Sequence, residues 1–214
     1  MQGIDDLAAL EDAFALPRKF IDNLINEDDW SLVIKSHALL ESACADMLCH
    51  HFGKYELADI FAQMDMSNKR YGKIAFISSL NLLNKSERRF ISELSELRNR
   101  LVHNASSVTF SLGNYFSNLT REKQERLSSA LNLRLERIST EDEVIEGVNL
   151  LIEQPRAVIW SSLTLCLSSI YIQDVFAIKR NELIDGAMKK YKEAGPIMIT
   201  QESIPLTISS RRTR

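Results

Sequence analysis

A short polar stretch near the middle of the chain gathers the side chains best suited to chemistry. Residues 98–104 read Arg-Asn-Arg-Leu-Val-His-Asn. Histidine transfers protons near neutral pH, and the arginine guanidinium forms paired hydrogen bonds with phosphate oxygens. Because core packing does not require so many polar groups together, we expect the functional site here.

The charge distribution favours an anionic ligand at this stretch. The chain of 214 residues has a formal net charge of −3, which argues against a protein that is basic throughout. Residues 69–103 contain eight basic and three acidic side chains, a balance of +5, whereas residues 1–29 contain eight acidic and two basic ones, a balance of −6. A local positive field can attract phosphates even to an acidic protein.

The polar stretch ends a predicted amphipathic helix over residues 87–103, with Ser86 as its cap. Its apolar residues recur at three- and four-residue spacing: Phe90, Leu94, Leu97 and Leu101. Further helices are predicted over residues 4–25 with a break at Pro17, 30–52 with Asp29 as cap, 56–64, 68–83, 120–135, 144–153 after a Thr140–Glu143 capping box, and 156–191 after Pro155. Residues 104–119 are the least helical part, where the alternation around Val108 and Phe110 predicts a short extended segment.

The composition is that of an ordinary soluble globular protein, with 45% apolar and 26% charged residues. Only seven Gly and four Pro argue against an all-β fold with many tight turns, and with the helices above we expect an all-α fold. Residues 157–173 carry no charge, but several Ser and Thr interrupt them, so we predict a buried core helix and no membrane contact. The three cysteines, Cys44, Cys49 and Cys166, lack metal-ligand spacing and are interpreted as reduced, buried thiols. The acidic N-terminus does not resemble a signal peptide, and a cytoplasmic location is expected.

The Arg98-Asn99-x-x-x-His103 pattern resembles the signature of the HEPN superfamily, small α-helical domains with an Arg-x(4–6)-His motif near the end of a core helix. Residues 36–42 resemble the early helix of that family with its acidic residue, here Glu41, and residues 71–83 resemble its linking helix. Residues 108–111 are similar to a segment of the mannitol operon repressor branch. The resemblance covers about residues 30–180 and implies a HEPN-like helical bundle over residues 29–194, with an acidic helical extension over 1–28 and a basic-ended tail over 195–214.

By resemblance the protein is a metal-independent endoribonuclease with a toxin or phage-defence role. In such enzymes the ribose 2′-OH attacks the adjacent phosphate and leaves a 2′,3′-cyclic phosphate and a 5′-OH, without metal or cofactor. The implied catalytic residues are His103 as the acid or base, Arg98 as the phosphate clamp and Asn99 as an orienting group. The implied substrate-binding residues are Arg100, Asn104 and Glu41. The implied partners are RNA, a second copy of the chain in a homodimer, and an antitoxin or regulatory protein.

Helix geometry constrains these assignments. At 100° per residue, Arg98 and His103 are about 140° apart around the helix, whereas Asn99 and Arg100 are about 40° and about 60° from His103. Arg98 and His103 therefore do not share one helical face. Either the helix loosens at Val102, or two motifs meet across a dimer and share the work.

Structural and non-catalytic interpretations compete with this one. Arg98 can pair with Glu41 or Glu96, and His103 can stabilise the last carbonyls of its helix. Two other functions remain open: a non-catalytic regulator similar to the mannitol operon repressor branch, acting by protein association, and a nucleotide-binding module. No helix-turn-helix with a basic recognition helix is evident. The pair His50-His51 is interpreted as a helix end, and Trp30 and Trp160 as core or interface residues.

Overall fold

In a computed structural model, residues 2–103, 109–135 and 140–194 are described and contain ten α-helices and no β-strand. The helices are α1 (Gln2–Ala13), α2 (Phe20–Leu24), α3 (Asp29–Phe52), α4 (Ala58–Gln63), α5 (Lys73–Ser79), α6 (Lys85–Val102), α7 (Leu112–Ser117), α8 (Arg121–Leu131), α9 (Glu141–Glu153) and α10 (Pro155–Ala194). The all-α prediction is confirmed, including the long C-terminal helix. The chain divides into two compact units, Met1–Ile178 and Lys179–Arg214.

Helices α3 and α6 each begin at a side-chain cap one or two residues earlier than the sequence suggested. The Asp28 carboxylate accepts the Ser31 backbone N–H at 2.9 Å, and Asn84 and Glu87 form a reciprocal capping box. The predicted caps Asp29 and Ser86 are therefore wrong. Asp29 lies inside α3, where its buried carboxylate accepts the Leu112 backbone N–H at 2.8 Å and pairs with Arg156.

The helix predicted over residues 68–83 is wrong in most of its length, because only Lys73–Ser79 is helical. The Asn68 side chain instead accepts the backbone N–H groups of Arg70 and Tyr71, which offers the backbone a turn in place of a helix. Gly72 then passes so close to this turn that a Cβ at its position would lie 2.6 Å from the carbonyl oxygens of Asn68 and Asp65. Only glycine therefore fits this turn without displacing the backbone.

The segments around residues 104–140 also depart from the prediction. Residues 112–117 form α7, with the Ser111 hydroxyl accepting the Asn114 backbone N–H. Val108 lies outside the described residues, and Phe110 is not in a strand. Helix α8 ends at Leu131, four residues early, and a short 3₁₀ turn covers Leu133–Leu135. The capping box of Thr140 and Glu143 is confirmed.

The core is formed chiefly by α3, α6 and the first half of α10. Helix α6 buries the face predicted from its spacing, with Phe90 and Leu94 fully enclosed. The centre of α10 contributes Val158, Ile159, Leu163, Cys166, Leu167 and Ile170, which confirms the predicted core helix. Serine and threonine hydroxyls of α10 form hydrogen bonds with backbone groups. For example, the Ser162 hydroxyl accepts the Leu133 backbone N–H at 3.0 Å. By length and composition α10 would also be long and apolar enough to cross a membrane, with 44% of its most apolar window buried.

All three cysteines are free and buried, as the sequence predicted. Burial raises the pKa of the Cys44 and Cys166 thiols, so neither forms a thiolate at neutral pH. Both side chains act as small apolar groups of the core.

The N-terminal helices pack onto this core through a strained connection. Ala15 and Lys19 have φ values of 51° and 64°, in the left-handed region that non-glycine residues rarely adopt. The buried Glu11 carboxylate accepts the backbone N–H groups of Lys19 at 2.8 Å and Ile21 at 3.0 Å, which holds the connection in place. The Trp160 indole donates to the Ile21 carbonyl at 2.7 Å.

We expect Gly72→Ala to lower the free energy of unfolding by about 2 kcal/mol or more, because the new methyl group would press on two backbone carbonyl groups. Urea unfolding monitored by circular dichroism measures this loss. The matched control is Gly186→Ala on α10, where a Cβ would meet nothing within 4 Å. That variant should lose no stability, and equal losses in both variants would contradict the crowding at Gly72.

Candidate functional site

The polar residues of the 98–104 stretch lie on the last turn of α6 and its C-cap. The helix continues through Val102, and His103 follows as the C-cap residue with φ −85° and ψ 0°. These dihedrals are close to helical values, so His103 lies near the position that it would have in a continued helix. That position is about 140° around the axis of α6 from Arg98. The end of the helix at Val102 does not bring Arg98 and His103 onto one face. Asn104 lies outside the described residues.

Arg98 lies on α6, which packs against α3. It is half-buried, and its Nη1 donates to the Asn99 side-chain oxygen at 3.0 Å. Its positive charge helps to lower the pKa of His37 on α3. Asn99 thus contacts Arg98, whereas the resemblance implied that it orients His103 or binds the backbone. Within the described ranges, no ion pair joins Arg98 to either Glu41 or Glu96, the partners that the structural interpretation offered.

Glu41 faces two other basic groups. Its carboxylate oxygens lie 3.5 Å from the Lys73 Nζ and 3.8 Å from the His37 Nδ1, and its side chain is 35% exposed. Lys73 is completely buried at the start of α5, and its ammonium also donates to the carbonyl oxygens of Met64 at 2.7 Å and Ala62 at 3.2 Å. A buried ammonium needs such acceptors, since its unpaired burial would cost several kcal/mol. Lys73 therefore joins the end of α4 to Glu41 on α3.

His37, like Lys73, belongs to this cluster although the sequence did not assign it to the site. Its side chain is 8% exposed, and burial lowers the pKa of its imidazole below 6.5. The Glu41 carboxylate opposes that shift, while the Arg98 and Lys73 charges add to it, and Asp65 opposes it from the loop before α5. His37 is therefore neutral at neutral pH. Its spacing of four residues from Glu41 on a predicted helix was the signal that could have found it.

Arg100 lies apart from this cluster. Its guanidinium carbon is 6.0 Å from the centre of the Tyr115 ring on α7, a cation–π geometry. The small cavity beside it is lined by Glu93, Glu96 and Arg126 among others, and the Arg126 guanidinium pairs with Glu93. The structure thus separates the predicted residues. Glu41 lies on α3 beside Lys73, and Arg98 and Asn99 contact each other on α6. Arg100 lies beside Tyr115 of α7, and the exposed His103 follows the end of α6.

The histidine pair and the two tryptophans lie at a helix end and against the core. His50 and His51 lie in the last turn of α3, as predicted, and the His50 Nδ1 is 3.0 Å from a carboxylate oxygen of Asp174. Burial raises the pKa of Asp174 and the hydrogen bond with His50 opposes this. Among the residues that the structure describes, no group of three His, Cys, Asp or Glu side chains is arranged to hold a metal ion. Trp30 and Trp160 pack against the core as predicted.

Comparisons with protein-family models, curated proteins and solved structures found no match to this chain. The resemblance to the HEPN superfamily and to the mannitol operon repressor branch therefore depends on the residues quoted above alone.

The surroundings of His37 predict opposite effects of two substitutions on its titration. Glu41→Gln removes the carboxylate that favours the imidazolium, so the pKa of His37 should fall further. Arg98→Gln removes a cation that disfavours the imidazolium, so the same pKa should rise. Proton NMR titration of the imidazole C–H signals measures both shifts. Glu96→Gln, with the same change of charge as Glu41→Gln, is the control and should leave the His37 titration in place; shifts of the same sign in both test variants would contradict the geometry.

Proposed function

We propose that this protein is a metal-independent endoribonuclease that cleaves RNA by attack of the ribose 2′-OH on the adjacent phosphate. The observation that carries the proposal is the end of α6, where a half-buried arginine with a bonded amide partner precedes an exposed histidine by five residues. This arrangement supplies a cation that can bind a phosphate and an exposed imidazole that can transfer a proton.

Arg98 is the residue suited to clamp the scissile phosphate. One of its N–H groups is bonded to Asn99, which restricts the guanidinium, and the half-exposed side chain has further donors for phosphate oxygens. Negative charge accumulates on those oxygens during the attack, so a cation positioned beforehand stabilises the transition state more than the bound substrate. Asn99 is then a positioning residue for Arg98.

His103 is the residue suited to proton transfer at the exposed end of the site. It follows the last helical residue of α6 as the C-cap and is exposed, so a substrate can reach its ring nitrogens. An imidazolium there can protonate the departing 5′-oxygen. Arg100, on the face towards α7, is positioned to contact the RNA backbone away from the scissile phosphate.

The wider context belongs to the same proposal and follows from the HEPN resemblance. The protein acts in the cytoplasm as a toxin or in phage defence, as a homodimer, and is restrained by an antitoxin or a regulatory protein. The negative overall charge of −3 limits non-specific RNA binding, while the positive balance of residues 69–103 favours binding at the site.

Purified protein incubated with mixed RNA in excess EDTA tests the proposal. We expect fragments with 2′,3′-cyclic phosphate and 5′-OH ends, and a loss of rate of about 100-fold or more in both Arg98→Ala and His103→Ala. Arg121→Ala is the matched control: it removes one cation from an exposed ion pair within α8 and should cleave at the wild-type rate. Intact RNA after incubation with folded wild-type protein would overturn the proposal.

A second candidate function is a non-catalytic regulator that acts through protein association. Exposed apolar side chains on α10 favour it: Phe176 is 68% exposed in the first unit, and Leu183 is 66% exposed in the second. Large apolar side chains in contact with water are typical of surfaces that bind another protein. This function predicts that Arg98→Ala and His103→Ala leave the regulatory activity unchanged, whereas Phe176→Glu abolishes it.

A further inference from the structure

A cavity of about 520 Å³ opens on the surface of the first unit, between the start of α6 and the middle of α10. The loop that precedes α6 forms the rest of its wall. The volume lies within the range of small-molecule sites in proteins, about 300–1,000 Å³. Arg88 lines this cavity and is ten residues before Arg98, so about 15 Å of helix separates the cavity from the candidate site at the other end of α6.

Two cations line the cavity from α6. Lys85 and Arg88 are three residues apart, a spacing that makes side chains neighbours on a helix. Lys85 is exposed, whereas Arg88 is half-buried and its Nη1 donates to the Leu83 carbonyl at 2.5 Å. This bond restricts the guanidinium, which has further N–H donors for a ligand. In the part of the chain that the structure describes, neither cation forms an ion pair.

The single carboxylate that lines the cavity is already hydrogen-bonded in the cap of α6. Glu87 is buried, and its carboxylate accepts the Asn84 backbone N–H at 2.7 Å, while the Asn84 side chain accepts the Glu87 backbone N–H at 2.9 Å. Two cations and one carboxylate leave a surplus of positive charge around the cavity. That surplus favours a negatively charged ligand.

Neutral polar side chains line the remaining wall. Ser169 and Gln173 are four residues apart on α10, and Asn81 belongs to the loop before α6. All three are at least partly exposed, and among the described residues their side chains take part in no hydrogen bond. Amides and hydroxyls both donate and accept, which matches the hydroxyl groups of a ligand. None of the lining residues is aromatic, so the cavity offers no ring on which a nucleobase could stack.

The walls of the cavity are fixed by the fold. Leu82 and Leu83 are buried in the core, and the Leu82 backbone N–H donates to the Ile77 carbonyl at 3.1 Å. The bond from Arg88 to the Leu83 carbonyl joins the same loop to α6. A ligand therefore meets groups that are already ordered, which lowers the entropy cost of binding.

We propose that this cavity binds a small phosphate monoester with a hydroxylated body, such as a sugar phosphate. The phosphate binds to Lys85 and Arg88, because a guanidinium donates paired hydrogen bonds to phosphate oxygens and an ammonium adds a second positive charge. The hydroxyl groups of the ligand bond Ser169 and Gln173, and its carbon framework contacts Ile172. This site is separate from the candidate site, and the inference does not depend on the proposed cleavage of RNA.

Isothermal titration calorimetry of the full chain tests the proposal with glucose 6-phosphate, ribose 5-phosphate and glycerol 3-phosphate. We expect saturable binding of at least one of these probes, with one molecule bound per chain. Inorganic phosphate and the unphosphorylated form of the probe should each bind about 10-fold more weakly or less, because each lacks one set of contacts.

Paired substitutions locate the binding site. Lys85→Gln removes a cation from the cavity and Ile172→Glu adds a carboxylate to its wall, so each should weaken binding of the probe by about 10-fold or more. The matched controls are Lys123→Gln on α8 and Ile60→Glu on α4, which make the same exchanges at exposed positions outside the cavity and should bind as wild type does. Because all four positions are exposed, each variant should fold, and circular dichroism checks this.

Absence of saturable binding with all three probes would overturn the proposal. Equal affinity for inorganic phosphate would contradict the hydroxylated body, and equal losses in Lys85→Gln and Lys123→Gln would show that the anion binds outside the cavity. No RNA is present in the titration, so its result leaves the proposed nuclease activity untouched. In the same way, intact RNA in the cleavage experiment leaves the assignment of this cavity untouched.

Discussion

The buried ammonium of Lys73 is the constraint on which the polar side of this structure depends. A charge enclosed at 0% exposure must be surrounded by acceptors, and three are present: the carbonyl oxygens of Ala62 and Met64, and the Glu41 carboxylate. The carbonyls belong to the end of α4, and Glu41 belongs to α3. The requirement for acceptors therefore fixes the loop between α4 and α5 against α3, and with it the wall of the cluster that contains His37.

The electrostatics of the candidate site follow from that arrangement. Glu41 shares its charge between Lys73 and His37, so it only partly offsets the two cations that act on the imidazole. Arg98 bonds Asn99 within the structure and keeps donors for an anion. Around His37 the two cations Lys73 and Arg98 are matched in number by the two carboxylates Glu41 and Asp65, so burial is the first cause of the lowered pKa of His37.

Particular residues show where inference from sequence succeeds. The apolar spacing of Phe90, Leu94 and Leu97 predicted the buried face of α6, because side chains three and four residues apart share one side of a helix. The Thr140–Glu143 box was found because a reciprocal cap involves only neighbours in sequence. The sequence analysis chose Asp29 as the cap of α3, but its neighbour Asp28 is the cap. The Asp29 carboxylate instead accepts hydrogen bonds from Leu112 and Arg156, which are 83 and 127 residues away in the sequence.

The sequence by itself determined the all-α class, most helix positions and the stretch where polar and cationic groups collect, because helix period, caps and local charge are short-range properties. Only the tertiary structure decided which of those groups meet. It placed Arg100 beside the Tyr115 ring, whereas Arg98 bonds Asn99. The two arginines have different partners because residues two positions apart on an α-helix are separated by about 200° of rotation. It also added His37 and Lys73, whose burial and pairing depend on helices that come together only when the chain folds.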